Sequence, residues 1–146
     1  MSKFVFKSGM PDSGVVSRQL ARLSGGDVAE DQISMVLATP LEGGNVILCH
    51  DDDLVVGIIQ FTRETEPDHF YVHHFSVLSS HRRRGIGRQL IERLQRVARK
   101  AQLPILVRDV TEDAVNAMTK CGFVQVDGPE ADPTLMWSDL RNSEQP

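Results

Sequence analysis

One stretch of the chain, residues 69–100, constrains the fold more than any other. It begins with an apolar strand from Phe70 to Leu78, passes through a polar turn, and reaches Gly85-Ile86-Gly87 at the start of a helix that runs to about Ala101. Glycines let a backbone approach a ligand closely, and the first turn of a helix offers unpaired N–H groups at the positive end of its dipole. Four arginines surround the same turn: Arg82, Arg83, Arg84 and Arg88. The stretch therefore predicts a site for an anion, most simply a diphosphate.

Two other phosphate-binding motifs do not fit this turn. The dinucleotide fingerprint G-x-G-x-x-G needs a third glycine at a position where this chain has Leu90. A P-loop needs a lysine followed by serine or threonine, and no such pair follows Gly87. The helix that follows is amphipathic, and its predicted buried stripe consists of Ile86, Leu90, Leu94 and Val97.

Two segments resemble the motifs of one protein family. Phe75-Ser76-Val77, followed by Arg82-x-x-Gly85-x-Gly87, resembles the acyl-CoA-binding motif Q/R-x-x-G-x-G/A of the GNAT acetyltransferase superfamily. Residues Ala114 to Phe123 are similar to the second motif of that family, a helix that ends in Gly-Phe at the start of the next strand. The resemblance covers nearly the whole chain. It implies an α/β fold of the mixed, α+β kind. A central, mostly antiparallel sheet would be flanked by about four helices.

Length, charge and cysteine content set the remaining bounds. The 146 residues predict a single domain over the whole chain, residues 1–146, with a polar tail from about residue 141. The net charge of -4 argues against a protein that coats nucleic acid. There are two cysteines, and no apolar run is as long as a transmembrane helix or a signal peptide. We therefore expect a cytoplasmic protein with reduced thiols and no membrane partner.

Outside the central stretch, hydrophobic patterns and turn residues predict the other elements. The predicted helices run from Asp12 or Ser13 to about Leu23, from Glu30 to Ala38, and from Thr111, as a cap, to Cys121. The predicted strands are Lys3 to Lys7, Asn45 to His50, Leu54 to Thr62, Ile105 to Val110, Phe123 to Val126 and Thr134 to Leu140. Asp51-Asp52-Asp53 is interpreted as a solvent-facing turn rather than a metal site, so no metal is expected.

The resemblance to the family implies acetyl-CoA as co-substrate and the transfer of its acetyl group to a primary amine. It assigns the backbone of Phe75, Ser76 and Val77 to the pantetheine arm, with the Val77 N–H facing the thioester carbonyl. It assigns the diphosphate to Arg82, Arg83, Arg84, Gly85, Ile86, Gly87 and Arg88. Thr111 stands where the family often has an asparagine on the pantetheine arm. Its hydroxyl either replaces that contact or only caps the helix.

A general base is sought on the strand that carries the first motif. Alternation predicts one face with Tyr71, His73, Phe75 and Val77 and the other face with His74, Ser76 and Leu78. In the family, bases lie four or six residues before the position of Val77 on the same face, which here means His73 or Tyr71. His73 is the better candidate because an imidazole titrates near neutral pH, although a histidine that only fills the edge of the cleft fits equally well.

One position departs from the family pattern. The family usually has a tyrosine that protonates the CoA sulfur five residues before the phenylalanine of Gly-Phe, and this chain has Met118 there. Methionine has no proton to donate. The main interpretation is therefore an N-acetyltransferase, and the alternative is a catalytically weak or inactive acyl-CoA-binding regulatory module. The amine acceptor and the oligomeric state stay open, and the resemblance alone suggests a homodimer.

Overall fold

The computed structural model of the protein describes residues 4–11, 13–22, 28–39, 41–52, 54–108, 111–126 and 134–138. Four α-helices lie in this part of the chain: α1 (Ser13–Arg22), α2 (Val28–Ala38), α3 (Ile86–Ala101) and α4 (Glu112–Lys120). The strands of the same part are β1 (Phe4–Ser8), β2 (Asn45–Asp51), β3 (Leu54–Glu64), β4 (His69–Val77), β5 (Ile105–Arg108), β6 (Val124–Val126) and β7 (Thr134–Trp137). The mixed α/β fold predicted from the sequence is confirmed.

The strands form one sheet in the order β1-β2-β3-β4-β5-β7-β6. All neighbouring pairs are antiparallel except β4 and β5, which are parallel and are connected through α3. The strands β2, β3 and β4 follow one another directly in the chain and form a meander, and β1 adds to its edge after a connection through α1 and α2. The parallel pair β4 and β5 lies near the centre of the sheet, and α3 forms the crossover connection between the two strands.

Helix α3 packs on one face of the sheet, against β2, β3 and β4. Its buried residues are Ile86, Leu90, Ile91, Leu94, Gln95 and Ala98. The predicted stripe was wrong at Val97, whose side chain is 38% exposed, because the helix turns Ala98 toward the sheet instead. Gly57 on β3 lets the helix come this close, since a Cβ there would lie 2.9 Å from Cγ2 of Ile86. The start of α3 is thus fixed on the sheet by close packing.

Helix α2 lies on the opposite face. Its Gln32 side chain accepts a hydrogen bond from the Ser76 hydroxyl on β4. The neighbouring residues Phe75 and Val77 instead lie against Gly87 of α3. Because successive side chains of a strand point to opposite faces, α2 and α3 enclose β4 from its two sides.

A β-bulge in β4 changes the predicted division of its side chains. Gln60 is opposite His74 and Phe61 is opposite Val72, so His73 is the extra residue of the pair. Tyr71 and His73 therefore lie on the α2 face with Ser76, and not on the α3 face with Phe75 and Val77 as simple alternation predicted. The alternation was wrong at this point because an inserted residue shifts every side chain before it to the other face.

Most predicted elements lie within two residues of their observed bounds. Predicted positions at Lys3, Asp12, Leu23, residues 109–110 and residues 139–140 fall outside the described residues. Thr111 does cap α4, because its hydroxyl accepts a hydrogen bond from the Ala114 N–H at 3.2 Å. Of the predicted aspartate turn, Asp51 bonds to His81 and Asp52 adopts a positive φ of 55°, while Asp53 is not described. No helix in the described ranges is both long enough and apolar enough to cross a membrane.

Candidate active site

The parallel strands β4 and β5 pair over a short segment. Phe70, Tyr71 and Val72 pair with Ile105, Leu106 and Val107, and no further pairs join the two strands within the part of the chain that the structure describes. Residues 73–77 of β4 continue beyond this point with β3 on one side only. In the described part of the chain this edge of β4, facing away from β3, has no strand beside it, and we call the space along it the cleft.

The backbone direction of β4 shows which groups border this cleft. The N–H of Leu78 donates to the Val56 carbonyl on β3 at 2.8 Å. Alternate residues of an antiparallel strand point their N–H and C=O groups to opposite sides, so those of Val77 and Phe75 point away from β3, toward the cleft. Ser76 differs from the expectation, because its backbone groups face β3 and its side chain is bonded to α2.

The predicted diphosphate turn lies between the end of β4 and α3. Gly85 has a φ of 79°, a left-handed conformation that glycine adopts without strain. The first hydrogen bond of the helix runs from the Gln89 N–H to the Gly85 carbonyl at 3.1 Å, so the N–H groups of the preceding turn have no acceptor within the helix. Gly87 packs against the ring of Phe75, since a Cβ there would lie 3.2 Å from Cζ. The glycines keep the helix start open toward solvent and close to β4.

The four arginines of the turn have different surroundings. Arg82 donates from Nε to the Val77 carbonyl at 3.3 Å and from Nη1 to Asp113 at 3.4 Å, and so connects the end of β4 to the first turn of α4. Arg88 pairs with Glu92 one helical turn later, at 3.5 Å. The remaining two, Arg83 and Arg84, are exposed. Arg82 is therefore partly neutralised by a carboxylate.

His73 is the exposed histidine of the bulge, and it is hydrogen-bonded on its own face. Its Nε2 lies 2.8 Å from Oγ1 of Thr62, and that hydroxyl donates to Oε2 of Glu64 at 2.6 Å. The ring of Tyr71 meets the imidazole edge to face, with 4.8 Å between the ring centroids. The two residues that were predicted as candidate bases thus lie side by side.

The neighbouring His74 is more enclosed. Burial, and after it the charge of His73, lowers the pKa of the His74 imidazole below its usual value. His74 therefore tends to stay neutral, and it shares the α2 face with His73 and Ser76.

The two positions where the chain departs from the family pattern have different surroundings. Met118 is 0% exposed and belongs to the hydrophobic core, so no polar group at this position faces the cleft. The Thr111 hydroxyl oxygen accepts the capping bond of α4, and its proton stays available for another acceptor. Burial, and next the charge of Glu92, raises the pKa of the nearby Cys121 thiol, so this thiol favours its protonated form.

Sequence reasoning missed four residues that the fold brings to this region: Thr62, Glu64, Gln32 and Asp113. Alternation along β3 already placed Thr62 and Glu64 on one face, but only the bulge in β4 turns His73 toward them. Gln32 and Asp113 lie on helices whose packing no local pattern predicts. Long-range pairs of this kind have no signal in a single sequence.

The comparisons with known proteins agree with this geometry. Residues 23–123 match the model of the acetyltransferase (GNAT) family. No curated protein matches the chain. Among solved structures, AtaTR bound with AcCoA is similar with a TM-score of 0.73 at 15% identity, covering 98% of each chain. The aminoglycoside 6'-acetyltransferase type Ii is similar with a TM-score of 0.67 at 20% identity, covering 92% of this chain and 96% of that one.

A third similar structure is the KacTA–DNA complex, with a TM-score of 0.69 at 14% identity and 97% of each chain covered. At such identities the structural likeness shows the fold alone. Because the family model spans more than half of the chain, the protein belongs to the GNAT acetyltransferase family.

Proposed function

We propose that the protein is an acetyl-CoA-dependent N-acetyltransferase that transfers the acetyl group directly to a primary amine. The observation that carries this proposal is the edge of β4 beyond Val72, which has β3 on one side only in the described part of the chain, with the glycine turn of α3 beside it. The cleft offers unpaired backbone donors to a pantetheine arm and a helix N-terminus to a diphosphate. Family membership supports the same co-substrate.

In the proposed complex the glycine turn holds the diphosphate. Backbone N–H groups from Gly85 to Arg88 donate to its oxygens, and the exposed arginines Arg83 and Arg84 supply positive charge. Ile86 contributes only through its backbone, because its side chain is buried under the sheet. The pantetheine arm runs along the free edge of β4, at Phe75 and Val77.

The chemical step needs one proton acceptor and one oxyanion donor. The amine nitrogen attacks the thioester carbon, and the carbonyl electrons move to oxygen, where the Val77 N–H stabilises the negative charge. The C–S bond then breaks and the electron pair leaves with the CoA thiolate. The proton lost by the attacking nitrogen goes to His73, which is exposed on the α2 face of β4.

A thiol-release assay with acetyl-CoA and a panel of primary amines tests the proposal. The panel contains a lysine peptide, a free N-terminal peptide, spermidine and an aminoglycoside. We expect thiol release with one class, and we expect His73→Ala to lower turnover by about 10²–10⁴-fold, the usual contribution of a general base. Acetyl-CoA affinity should stay the same in this variant, because His73 lies outside the diphosphate turn.

His69→Ala is the matched control, since His69 lies at the far end of the same strand and bonds to the Pro67 carbonyl. Loss of turnover in both variants would assign the effect to the strand and not to the base. An unchanged rate in His73→Ala at every pH would remove His73 from the mechanism.

Met118 favours a second candidate function, a non-catalytic acyl-CoA-binding module with a regulatory role. The buried thioether cannot protonate the departing thiolate. A CoA thiolate leaves without help more readily than an alkoxide, and proximity supplies much of the acceleration, so we favour the enzyme. Acetyl-CoA binding without thiol release for any amine would favour the module.

A further inference from the structure

A line of three side chains runs across the ends of β3 and β4, from Glu64 through Thr62 to His73. We propose that Thr62 and Glu64 are positioning residues that hold His73 in the Nε2–H tautomer and leave Nδ1 as the atom that accepts the substrate proton. This inference rests on the proposed function, in which His73 is the base. It adds the identity of the reacting nitrogen and the two residues that determine it.

The backbone brings these three residues together. Thr62 and Glu64 are two residues apart on β3 and share a face, and Thr62 is opposite Tyr71 in the ladder. The bulge turns His73 to the same face, where its Nε2 comes within 2.8 Å of Oγ1 of Thr62. Thr62 is only 8% exposed, so water has little access to the middle of the line. A ring with one nitrogen bonded at a buried hydroxyl keeps its other nitrogen toward solvent.

The direction of the two hydrogen bonds follows from a count of protons. A hydroxyl has one proton to donate, and a carboxylate can only accept. The 2.6 Å contact between Oγ1 of Thr62 and Oε2 of Glu64 therefore uses the hydroxyl proton. Thr62 then has only lone pairs to offer His73, so the proton of the second bond must lie on Nε2. The neutral imidazole consequently has its lone pair on Nδ1.

The hydrogen bonds from His73 to Thr62 and from Thr62 to Glu64 also fit a protonated His73. When the attacking nitrogen gives its proton to Nδ1, the imidazolium continues to donate from Nε2 to Thr62, and no other proton has to move. The negative charge of Glu64 acts on the imidazolium through the polarised hydroxyl. Thr62 and Glu64 remain in the same protonation state throughout, so they position the base and do not themselves react.

The titratable groups on β4 and on the elements next to it stay constant in the test. They are Tyr71 and His74 on β4, the mutual pair Arg63 and Asp68 at the β3–β4 hairpin, Glu30 and Asp31 in the first turn of α2, and Arg108 at the end of β5. None of these is altered in the variants proposed below. A change between variants therefore reports on the line itself.

The tautomer can be read directly, without an acceptor substrate. Long-range 1H–15N spectra of the full chain with labelled histidine distinguish Nε2–H from Nδ1–H, and the His73 signals are assigned by their loss in His73→Gln. At about pH 8.5, where an ordinary imidazole is neutral, we expect the Nε2–H pattern for His73. Thr62→Val, which has nearly the same shape and no hydroxyl, should give a mixture of tautomers. Thr62→Ser should restore the single form.

Glu64→Gln tests the direction of the bond, because an amide can donate to Thr62 as well as accept from it. We expect the Glu64→Gln variant to show a partial mixture of the two His73 tautomers. Glu66→Gln, a nearby carboxylate in the turn after β3, is the matched control and should leave His73 unchanged. An Nδ1–H pattern in the native chain, or the same tautomer in Thr62→Val as in the native chain, would overturn the proposal.

Turnover gives a second readout. In the thiol-release assay with the amine class that reacts, Thr62→Val should lower kcat by about tenfold or more, a part of the roughly 10²–10⁴-fold that a base contributes. Acetyl-CoA affinity should not change, and Thr62→Ser should recover the rate. Full activity in Thr62→Val would refute the positioning role even if the tautomer changed. If no amine reacts at all, the proposed function fails, while the spectra still decide whether Thr62 and Glu64 orient His73.

Discussion

Gly85 allows the diphosphate turn to be tested separately from the fold. Its φ of 79° and ψ of 7° lie in the left-handed region, and a Cβ built there has no neighbour closer than 3.9 Å. Gly85→Ala therefore costs only backbone strain, about 1–2 kcal/mol of the free energy of unfolding. The new methyl group would stand where the diphosphate is proposed to approach.

The effect on affinity follows from the hydrogen bond that the methyl group would prevent. One hydrogen bond to a charged group contributes about 1.5–3 kcal/mol, and about 1.4 kcal/mol corresponds to a tenfold change in Kd. Displacing the diphosphate from a single N–H should thus weaken acetyl-CoA binding by at least about tenfold. Calorimetric titration measures the Kd, and urea unfolding measures the stability.

Gly43 is the matched control, because its φ is 73° and no atom lies within 4 Å of a Cβ built there. It lies in the turn that precedes β2, away from the cleft. Gly43→Ala should lose the same stability of about 1–2 kcal/mol and bind acetyl-CoA normally. Equal affinities in the two variants would refute the placement of the diphosphate. A loss of affinity in Gly43→Ala would show that strain alone explains the result.

Three further variants test the scaffold around the cleft. Gln19 bonds to the buried N–H and C=O of Val55 at 2.7 and 2.9 Å, so Gln19→Ala leaves two groups unsatisfied at about 1–3 kcal/mol each and should cost about 2–6 kcal/mol in urea unfolding. Asp113→Asn releases Arg82 from an exposed ion pair, so it should change stability by less than about 1 kcal/mol and leave calorimetric acetyl-CoA affinity equal or higher. Because the pKa of His74 is lower in the folded protein, the unfolded chain takes up this proton at a higher pH. The free energy of unfolding should therefore keep its full value above about pH 6.5 and fall as the pH drops below it. His74→Gln should therefore show a smaller loss between about pH 7.5 and 5.5 in urea unfolding, and an equal loss would refute the assignment.

The order of elements could be predicted from the sequence because local rules decide it. Glycine at a left-handed position, threonine at a cap and an apolar period of about 3.6 residues each act within a few residues of themselves. The helix from Ile86 to Ala101 was predicted with the bounds that the structure has. The parallel pairing of β4 with β5 was not predicted from the sequence.

The site itself could be predicted only in part. The bulge at His73 depends on how β4 pairs with β3, and nothing in the residues around it marks an inserted position. It moved Tyr71 and His73 to the face of α2, and it brought Thr62 and Glu64 into the site. Met118 shows the same limit, because the sequence revealed a missing proton donor but not that the side chain is in the core. Whether Tyr71, His73 and the predicted acyl-CoA contacts act as proposed stays a prediction.

The most direct test of this account is calorimetric titration of the purified protein with acetyl-CoA, followed in the same preparation by thiol release against the amine panel. We predict one acetyl-CoA bound per chain and thiol release with one class of amine. Binding without release would leave the cleft in place and contradict the proposed transfer. The absence of any binding would contradict the diphosphate site at Gly85 to Arg88, and with it the proposed function.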